Sequence, residues 1–393
     1  MKKESCALIL GGHVNGYSII QELSEKKVEE IILFGYSREL ASYSNKIRKF
    51  ILIDKTSESM YNEIKKLHDE YEKIVIFPTD DIQLENLQEI HSKIDSFCFL
   101  PFNLENLQAC LDKYTQYTYC EKLGIPYPKT VYIQGKKELE NIEDIQFPIL
   151  LKPSKRDDLR TKVFRNMKID SPEDLKKIKK DMENYLNAGI KFIASEIIPG
   201  SENCLYGYVA YRDMKGRILN DWTGKKLAQY PDGFGVFSSA SNNAPEEVRI
   251  QGKILLEGMD IRGIAQPEFK YDFRDKKYKL TEINLRSMMW HRVGNLSGVN
   301  LHYSQYQDAL GQKVSHQVQI KDKDIHFIYL KHEIANLFGR RKYFLTFMKN
   351  IRDSDETHIA IYDRKDIEPF LRDSIDTCKV VAGKFLRSLK IIS

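Results

Sequence analysis

Residues 263–286 read GIAQPEFKYDFRDKKYKLTEINLR, a pattern that predicts two strands joined by a charged turn. If this hairpin folds symmetrically about Asp275, Glu268 of the first strand lies directly opposite Glu282 of the second. Like charges that face each other across two strands destabilise a sheet. The pattern therefore predicts that a cation lies between the two carboxylates.

The side chains that follow Glu282 suggest which cation this is. Two carboxylates and the amide oxygen of Asn284 suit Mg²⁺, which commonly takes substrate phosphates as further ligands. Arg286 lies on the same face, about 7 Å beyond Asn284, where its guanidinium can bind a phosphate oxygen. The alternative is an exposed hairpin whose glutamates pair with Lys270 or Lys279.

Composition restricts the class of protein. The 393 residues are 42% hydrophobic and 30% charged, as expected for two or three globular units. The net charge of +5 is small for a nucleic-acid-binding protein, and no apolar run reaches the roughly 18 residues of a membrane span. Six cysteines without a CxxC spacing indicate neither a zinc site nor a disulfide framework. We therefore expect a cytoplasmic protein, monomeric or homodimeric, with no nucleic-acid partner.

The N-terminus predicts a doubly wound sheet. An apolar strand at 6–10 is followed by the turn GGHVNG (11–16), a helical pattern and a second strand at 31–34. Further short strands are predicted at 51–54, 74–77 and 97–100. The turn differs from GxGxxG and no acidic residue closes the second strand, which argues against NAD binding.

Three segments in the middle of the chain contain candidate nucleotide-binding residues. In FPILLKP (147–153), Lys152 ends a buried strand, where its ammonium either reaches an anion or extends to water. The loop that follows, 154–162, is basic and lies where it could cover phosphates. In SEIIPGSE (195–202), a strand leads to a hinge whose backbone can bind an adenine edge and whose last carboxylate can bind ribose, although an ordinary strand end would look the same.

Taken in chain order, Lys113, FPILLKP, SEIIPGSE and EINLR resemble the ATP-grasp superfamily, from about residue 6 to residue 311. Residues 217–239, together with FPTDD near Pro78, are most similar to D-aspartate ligase-like members. The resemblance implies an α/β fold with a Rossmann-like domain at 1–110, an α+β lid at 111–190, a catalytic core at 191–312 and a small α+β subdomain at 313–393. The loop after Lys152 departs from the superfamily, because SKRDDLRTK has no glycine.

The resemblance also implies roles for the matching residues. Those contacting the nucleotide would be Lys113, Lys152 and Ser154 at the phosphates, Glu196, Ile197 and Ile198 at the adenine, and Glu202 at the ribose. Two Mg²⁺ ions, or Mn²⁺ in their place, would be held by Glu268, Glu282 and Asn284. Arg286 would stabilise the acyl-phosphate transition state, and the catalytic lysine, Lys225 or Lys226, would approach the γ-phosphate or the substrate.

Substrate-binding residues are predicted from their position beside these motifs. They are Gly12, His13 and Asn15 in the glycine turn, and His291 and Arg292 after the metal-binding strand. The imidazole of His291 would either help to deprotonate an amine or pack in the core.

The implied function is an ATP-dependent ligase. It would convert a carboxylic acid, namely an amino acid or sugar acid, to an acyl phosphate and couple it to an amine on a cell-envelope or polysaccharide precursor. The alternatives are a carbamoyl-phosphate or bicarbonate type of ATP-grasp enzyme, and a nucleotide-binding regulator without turnover. The basic, amphipathic tail after residue 313 fits either contact with an anionic membrane or a small capping subdomain.

Overall fold

The N-terminal part of the chain forms a five-stranded parallel sheet. The computed structural model describes residues 1–140, 142, 145–154, 163–164, 166–233 and 235–388, the last ten of these as backbone only. The strands are β1 (Lys3–Leu10), β2 (Ile31–Gly35), β3 (Lys49–Leu52), β4 (Tyr71–Phe77) and β5 (Cys98–Phe99), in the order β3-β2-β1-β4-β5. The sheet confirms the predicted Rossmann-like topology.

Helices connect these strands, and capping side chains fix where some of them begin. They are α1 (Val14–Glu25), α2 (Ser57–Glu70) and α3 (Asp81–Ile94), followed by α4 (Leu107–Leu111) and α5 (Lys113–Leu123). Asp80 caps α3 by accepting a hydrogen bond from the backbone N–H of Ile82. Asp112 caps α5 in the same way through Thr115, and this cap places Lys113 on the first turn.

A four-stranded antiparallel sheet follows. It consists of β6 (Thr130–Ile133), β7 (Ile149–Pro153), β8 (Met167–Ile169) and β9 (Phe192–Glu196), in the order β6-β9-β7-β8, with helices α6 (Lys136–Glu140) and α7 (Pro172–Asn187). Ser171 caps α7 by accepting a hydrogen bond from the backbone N–H of Asp174. Residues 155–162 of the predicted basic loop at 154–162, with Lys155, Arg156, Arg160 and Lys162, lie outside the described residues.

A seven-stranded sheet forms the rest of the molecule. Its strands are β10 (Leu205–Arg212), β11 (Ile218–Tyr230), β12 (Val236–Ser241), β13 (Gly263–Asp272), β14 (Lys277–Asn284), β15 (Ile325–Ile328) and β16 (Glu356–Ile359), in the order β14-β13-β10-β11-β12-β15-β16. Its helices are α8 (Glu246–Gly258), α9 (Arg292–Leu296), α10 (Leu301–Ala309), α11 (Leu330–Gly339), α12 (Tyr343–Arg352) and α13 (Glu368–Ser388). The tail thus adds two strands to this sheet through the pairing of β15 with β12.

Two of the hydrophobic clusters are shared between the N-terminal and seven-stranded sheets. One joins Leu8 of β1 to Leu255 of α8 and Phe269 of β13. Such shared burial holds the carboxyl ends of the N-terminal strands beside the end of β14. Among the helices that the structure describes, none is long and apolar enough to cross a bilayer.

Glycines on two neighbouring strands allow the segment after β14 to lie against the sheet. A Cβ atom on Gly207 or Gly224 would approach the indole of Trp290 to 2.7 or 2.8 Å. The buried Trp290 ring therefore fits only because both positions lack a side chain.

Candidate active site

Glu268 and Glu282 lie directly opposite each other on β13 and β14, as predicted. Near the turn Asp272 pairs with Lys277, a register that by itself would not align the two glutamates. At an irregularity between Glu268 and Phe269, β14 contains one extra residue, Thr281. Phe269 pairs with Leu280, whereas Glu268 pairs with Glu282. The hydroxyl of Thr281, the extra residue, donates to the carbonyl oxygen of Glu268 at 3.0 Å.

Lysine ammonium groups stand beside the two carboxylates. Lys226 lies 2.6 Å from Glu268 with both side chains only 7% exposed, and Lys113 lies 3.5 Å from Glu282. The alternative of an exposed hairpin paired to Lys270 or Lys279 is wrong, because Glu268 is buried and Lys279 binds Asp272.

The two carboxyl groups differ in pKa. Burial raises the pKa of Glu268, and the nearby Glu282 raises it further against the opposing effect of Lys226. Burial also opposes ionisation of Glu282, but Lys113, Lys152 and Lys226 together outweigh it and lower its pKa to about 2. Three ammonium groups therefore converge on one carboxylate pair, an arrangement suited to anionic ligands.

The donor set is compatible with a hard divalent cation. Within the described residues no group of three His, Cys, Asp or Glu side chains is placed to hold a metal ion. Glu268, Glu282 and Asn284 instead offer two carboxylates and an amide, and the amide nitrogen of Asn284 lies 3.4 Å from Glu282 Oε1. Oxygen ligands of this kind fit Mg²⁺ or Mn²⁺ when substrate phosphates complete the coordination.

A directional chain of hydrogen bonds supports Glu268 from behind. The backbone N–H of Met288 donates to His291 Nδ1 at 3.3 Å, so Nε2 carries the proton and donates to Gln266 Oε1 at 2.8 Å. Gln266 Nε2 then donates to Glu268 Oε2 at 3.2 Å. Burial lowers the pKa of His291 well below its usual value, so the ring is neutral and packed, and both of its nitrogens are engaged.

Arg286 forms an ion pair with Asp81, which lies on the first turn of α3 beside the N-terminal sheet. Its Nε lies 2.5 Å from Asp81 Oδ1, and its terminal nitrogen lies 3.4 Å from Oδ2. Glu282 acts on Arg286 electrostatically, so the guanidinium is near the carboxylate pair. Asp81 was not predicted as a site residue, although FPTDD was noted as part of the resemblance.

Lys152 and Ser154 lie at the end of β7. Lys152 pairs with Ile193 in the ladder and contributes to the electrostatic field at both glutamates. Ser154 is 4% exposed, and within the described residues its Oγ has no hydrogen-bond partner. A buried hydroxyl without a partner is costly, which makes this atom a candidate for binding a ligand oxygen.

The hinge after β9 presents backbone groups. The N–H of Glu196 donates to Lys129 O, and the N–H of Ile197 donates to Pro148 O at 3.0 Å. Ile198 is buried, and in the part of the chain that the structure describes its N–H and C=O form no backbone hydrogen bond. The Glu196 side chain is held by Arg274 at 3.1 Å and by Lys279 at 3.4 Å.

Glu202 is paired with an arginine that the sequence did not identify. Arg340, at the end of α11, binds Glu202 Oε1 and also lies 3.3 Å from Asp232. Burial alone would raise the pKa of Glu202, but the guanidinium outweighs it and lowers the pKa. Glu202 is therefore an ionised, oriented acceptor, and the tail supplies the group that orients it.

Three further predicted residues, Lys225, Asn15 and Arg292, form contacts other than with the two glutamates. Lys225 points away from Lys226 and lies over the ring of Tyr206. Asn15 donates to the carbonyl oxygens of Thr79 and Ser287, and Arg292 binds Glu25 at the far end of α1.

The glycine turn itself stays at the carboxyl end of β1. The N–H of Gly12 donates to Glu39 at 2.8 Å, and the ring of His13 lies 6.2 Å from that of Tyr329. The structure thus brings Glu268, Glu282, Asn284, Lys113, Lys152, Lys226 and Arg286 together and does not bring Lys225 or Arg292 to them.

Comparison with known proteins identifies the fold class as ATP-grasp. The structure resembles N5-carboxyaminoimidazole ribonucleotide synthetase in its ADP complex, with a TM-score of 0.63 and 13% identity over 86% of this chain and 85% of that one. It also resembles L-amino acid ligase from Bacillus licheniformis, with a TM-score of 0.59 and 13% identity over 80% and 77% of the two chains. No protein-family model matches the sequence.

In sequence the chain is similar to a D-aspartate ligase. It is 24% identical to that enzyme of Enterococcus faecium (strain Aus0004) over 319 residues, which are 76% of this chain and 75% of the relative. The predicted resemblance to D-aspartate ligase-like members of the ATP-grasp superfamily is therefore confirmed. So is the predicted class of enzyme, an ATP-grasp ligase.

Proposed function

We propose that the protein joins a carboxylic acid to an amine at the expense of ATP, releasing ADP and phosphate. The observation that supports this most directly is the pair Glu268 and Glu282 surrounded by Lys113, Lys152 and Lys226. The acid would be an amino acid or sugar acid, with aspartate the first to test because the relative is a D-aspartate ligase. The amine would be a small molecule, such as a cell-envelope or polysaccharide precursor.

In the first half of the reaction, an oxygen of the substrate carboxylate would attack the γ-phosphorus as the bond to the β-phosphate oxygen breaks. The product is an acyl phosphate, whose phosphate is a far better leaving group than an oxide. Positioning and charge neutralisation dominate such a transfer. The three lysines and Arg286 would provide that neutralisation, since they act on one region.

Mg²⁺, or Mn²⁺ in its place, fits the oxygen donors of Glu268, Glu282 and Asn284, and when bound it would neutralise phosphate charge. We propose two such ions. The chain's own contribution is to hold the donors still, through the strand irregularity at Thr281 and the Gln266 side chain.

The nucleotide would lie along β7 and the hinge. Lys152 and the Ser154 hydroxyl would contact phosphate, the backbone of Ile198 would bind the adenine edge, and Glu202 would accept from the ribose hydroxyls. The unpaired Ser154 Oγ and the unpaired backbone groups of Ile198, within the described chain, support this orientation.

In the second half, the amine nitrogen would attack the acyl carbon, phosphate would leave and the amine would lose a proton. We propose that His291 is not the base that accepts it, because both ring nitrogens already have partners. The protein would act in the cytoplasm, where ATP is available.

The test is a screen of purified protein with ATP, Mg²⁺, D- or L-aspartate or another acid, and a set of amines. ADP and phosphate should appear in equal amounts, and acid labelled with ¹⁸O in its carboxylate should transfer label to phosphate. Release of AMP and pyrophosphate would rule the proposal out. Bicarbonate serves as a control acid, since turnover that requires bicarbonate would favour the carboxylating alternative, and nucleotide binding without turnover would favour a regulator.

A further inference from the structure

The turn between α11 and α12 exposes a cluster of large apolar side chains. We call residues 338–352 the α11–α12 corner. Its exposed members are Phe338 at 82%, Phe344 at 59%, Leu345 at 67% and Met348 at 45%. On α12, positions 344, 345 and 348 share one side of the helix. Exposed apolar groups that cluster in this way usually mark a contact surface.

The same segment is strongly basic. From Gly339 to Arg352 the sequence has five arginines and lysines and no acidic residue. Arg340 is used by Glu202. Within the described chain Arg341, Lys342 and Lys349 form no ion pair and are exposed, so their charge is available to a partner.

The corner is firmly attached to the protein behind this surface. Tyr343, the first residue of α12, is 4% exposed, and its hydroxyl donates to the buried Glu333 of α11 at 2.9 Å. Arg340 joins the corner to the turn after β11 through Asp232. The apolar groups are consequently presented by an ordered helix.

We propose that the α11–α12 corner docks on the surface of an anionic lipid bilayer. Aromatic and aliphatic side chains flanked by unpaired lysine and arginine match the two layers of such a surface, acyl chains and negative headgroups. A second copy of this chain is a poorer occupant, because two such faces would bring like charges together. Docking of this kind is peripheral and reversible, and it is a property separate from the proposed ligase reaction.

Vesicle sedimentation tests the proposal directly. Full-length protein is mixed with phosphatidylcholine vesicles with or without phosphatidylglycerol, at low and at high salt. We expect binding only to the phosphatidylglycerol vesicles and a marked loss at high salt, since the headgroup attraction is screened. Absence of binding to anionic vesicles at low salt would overturn the proposal.

Two sets of variants locate the surface. The double variant F344S/L345S should weaken binding about tenfold or more, whereas L52S/V318S, at positions 63% and 74% exposed elsewhere, should not. The triple variant R341Q/K342Q/K349Q should lose the salt-dependent part of binding, and K65Q/K313Q/R364Q, which removes the same charge elsewhere, should retain it. Equal losses in the test and control sets would overturn the assignment.

Two further measurements separate this proposal from others. Sedimentation velocity without vesicles should show the same oligomeric state for the wild type and for F344S/L345S. A dimer that this variant dissociates would assign the corner to a contact between copies instead. ADP release with small substrates should be unchanged in F344S/L345S, so failure of docking and failure of the proposed ligase activity are distinguished.

Discussion

The guanidinium of Arg286 is bound by Asp81, a residue 205 positions earlier in the chain, with Nε 2.5 Å from Oδ1. This ion pair joins the end of the metal-binding strand to the first turn of α3 in the N-terminal sheet. Both side chains are only partly exposed, at 16% and 26%. The orientation of Arg286 thus depends on how the two parts of the molecule pack.

The variant D81N should therefore impair turnover without unfolding the protein. Loss of the carboxylate releases Arg286, and misplacement of a charge-stabilising group by about 1 Å can lower the rate about 100-fold. We expect kcat to fall while KM for ATP changes less than about twofold. Steady-state kinetics check this, with D95N at the other end of α3 as the control. A D81N variant with normal kcat would contradict the role.

Arg340 should affect the nucleotide rather than the transfer step. Without its guanidinium, Glu202 loses the bond that orients it toward ribose, and a charged hydrogen bond of this kind is equivalent to about tenfold in affinity. We expect R340M to raise KM for ATP about tenfold and to reduce the preference for ATP over 2′-deoxy-ATP. The exposed Arg364 offers a matched control, R364M. If R340M kept full discrimination against the deoxynucleotide, Glu202 would not be the ribose acceptor.

The sequence predicted the carboxylate pair and the lysines beside it, but not the strand irregularity that aligns the pair or the arginine that orients Glu202. The alternating pattern of the hairpin is local, so the facing of Glu268 and Glu282 could be predicted from spacing. The hairpin is not symmetric about Asp275, however. Because Asp272 pairs with Lys277, the two glutamates face each other only through an irregularity at Thr281, which no periodicity reveals. Arg340 lies 138 residues from Glu202, and such a contact depends on sheet packing that local patterns do not encode.

The buried pair of Glu22 and His302 should make stability depend on acid pH. Burial would raise the pKa of Glu22, but the contact with His302 outweighs it and lowers the pKa below its ordinary value of 4.5. A carboxyl whose pKa is lower in the folded state stabilises the protein above the unfolded value, and this stabilisation is lost as the pH falls. His302 in turn lies 2.6 Å from the hydroxyl of Ser287, so the pair also supports the residue after Arg286.

The variant E22Q should consequently lower the free energy of unfolding by about 2 kcal/mol near neutral pH, because it replaces the charged acceptor that His302 contacts in the core with a neutral one. The difference from the wild type should shrink as the pH drops below 4.5. Urea unfolding across this range measures it, with the exposed Glu29 replaced in E29Q as the control. A difference that stays constant at all pH values would show that Glu22 does not titrate with the fold.

The pair of Glu268 and Lys226 allows stability and activity to be separated. Either E268Q or K226M leaves a buried charge without its partner and should destabilise the protein by about 3 kcal/mol. The double variant E268Q/K226M removes both charges, so its loss should be smaller than the sum of the two single losses.

Activity should not recover in the same way, because the double variant still lacks a carboxylate and an ammonium where phosphate charge would collect. The exposed pair of Glu63 and Lys66 provides the control, and E63Q/K66M should change stability by less than about 1 kcal/mol. Unfolding curves and ADP release are measured on the same preparations. Strictly additive losses would show that the two charges do not stabilise the protein as an ion pair. An active double variant would show that Glu268 takes no part in the proposed reaction, since a side chain needed only for folding would be dispensable once its buried partner is gone.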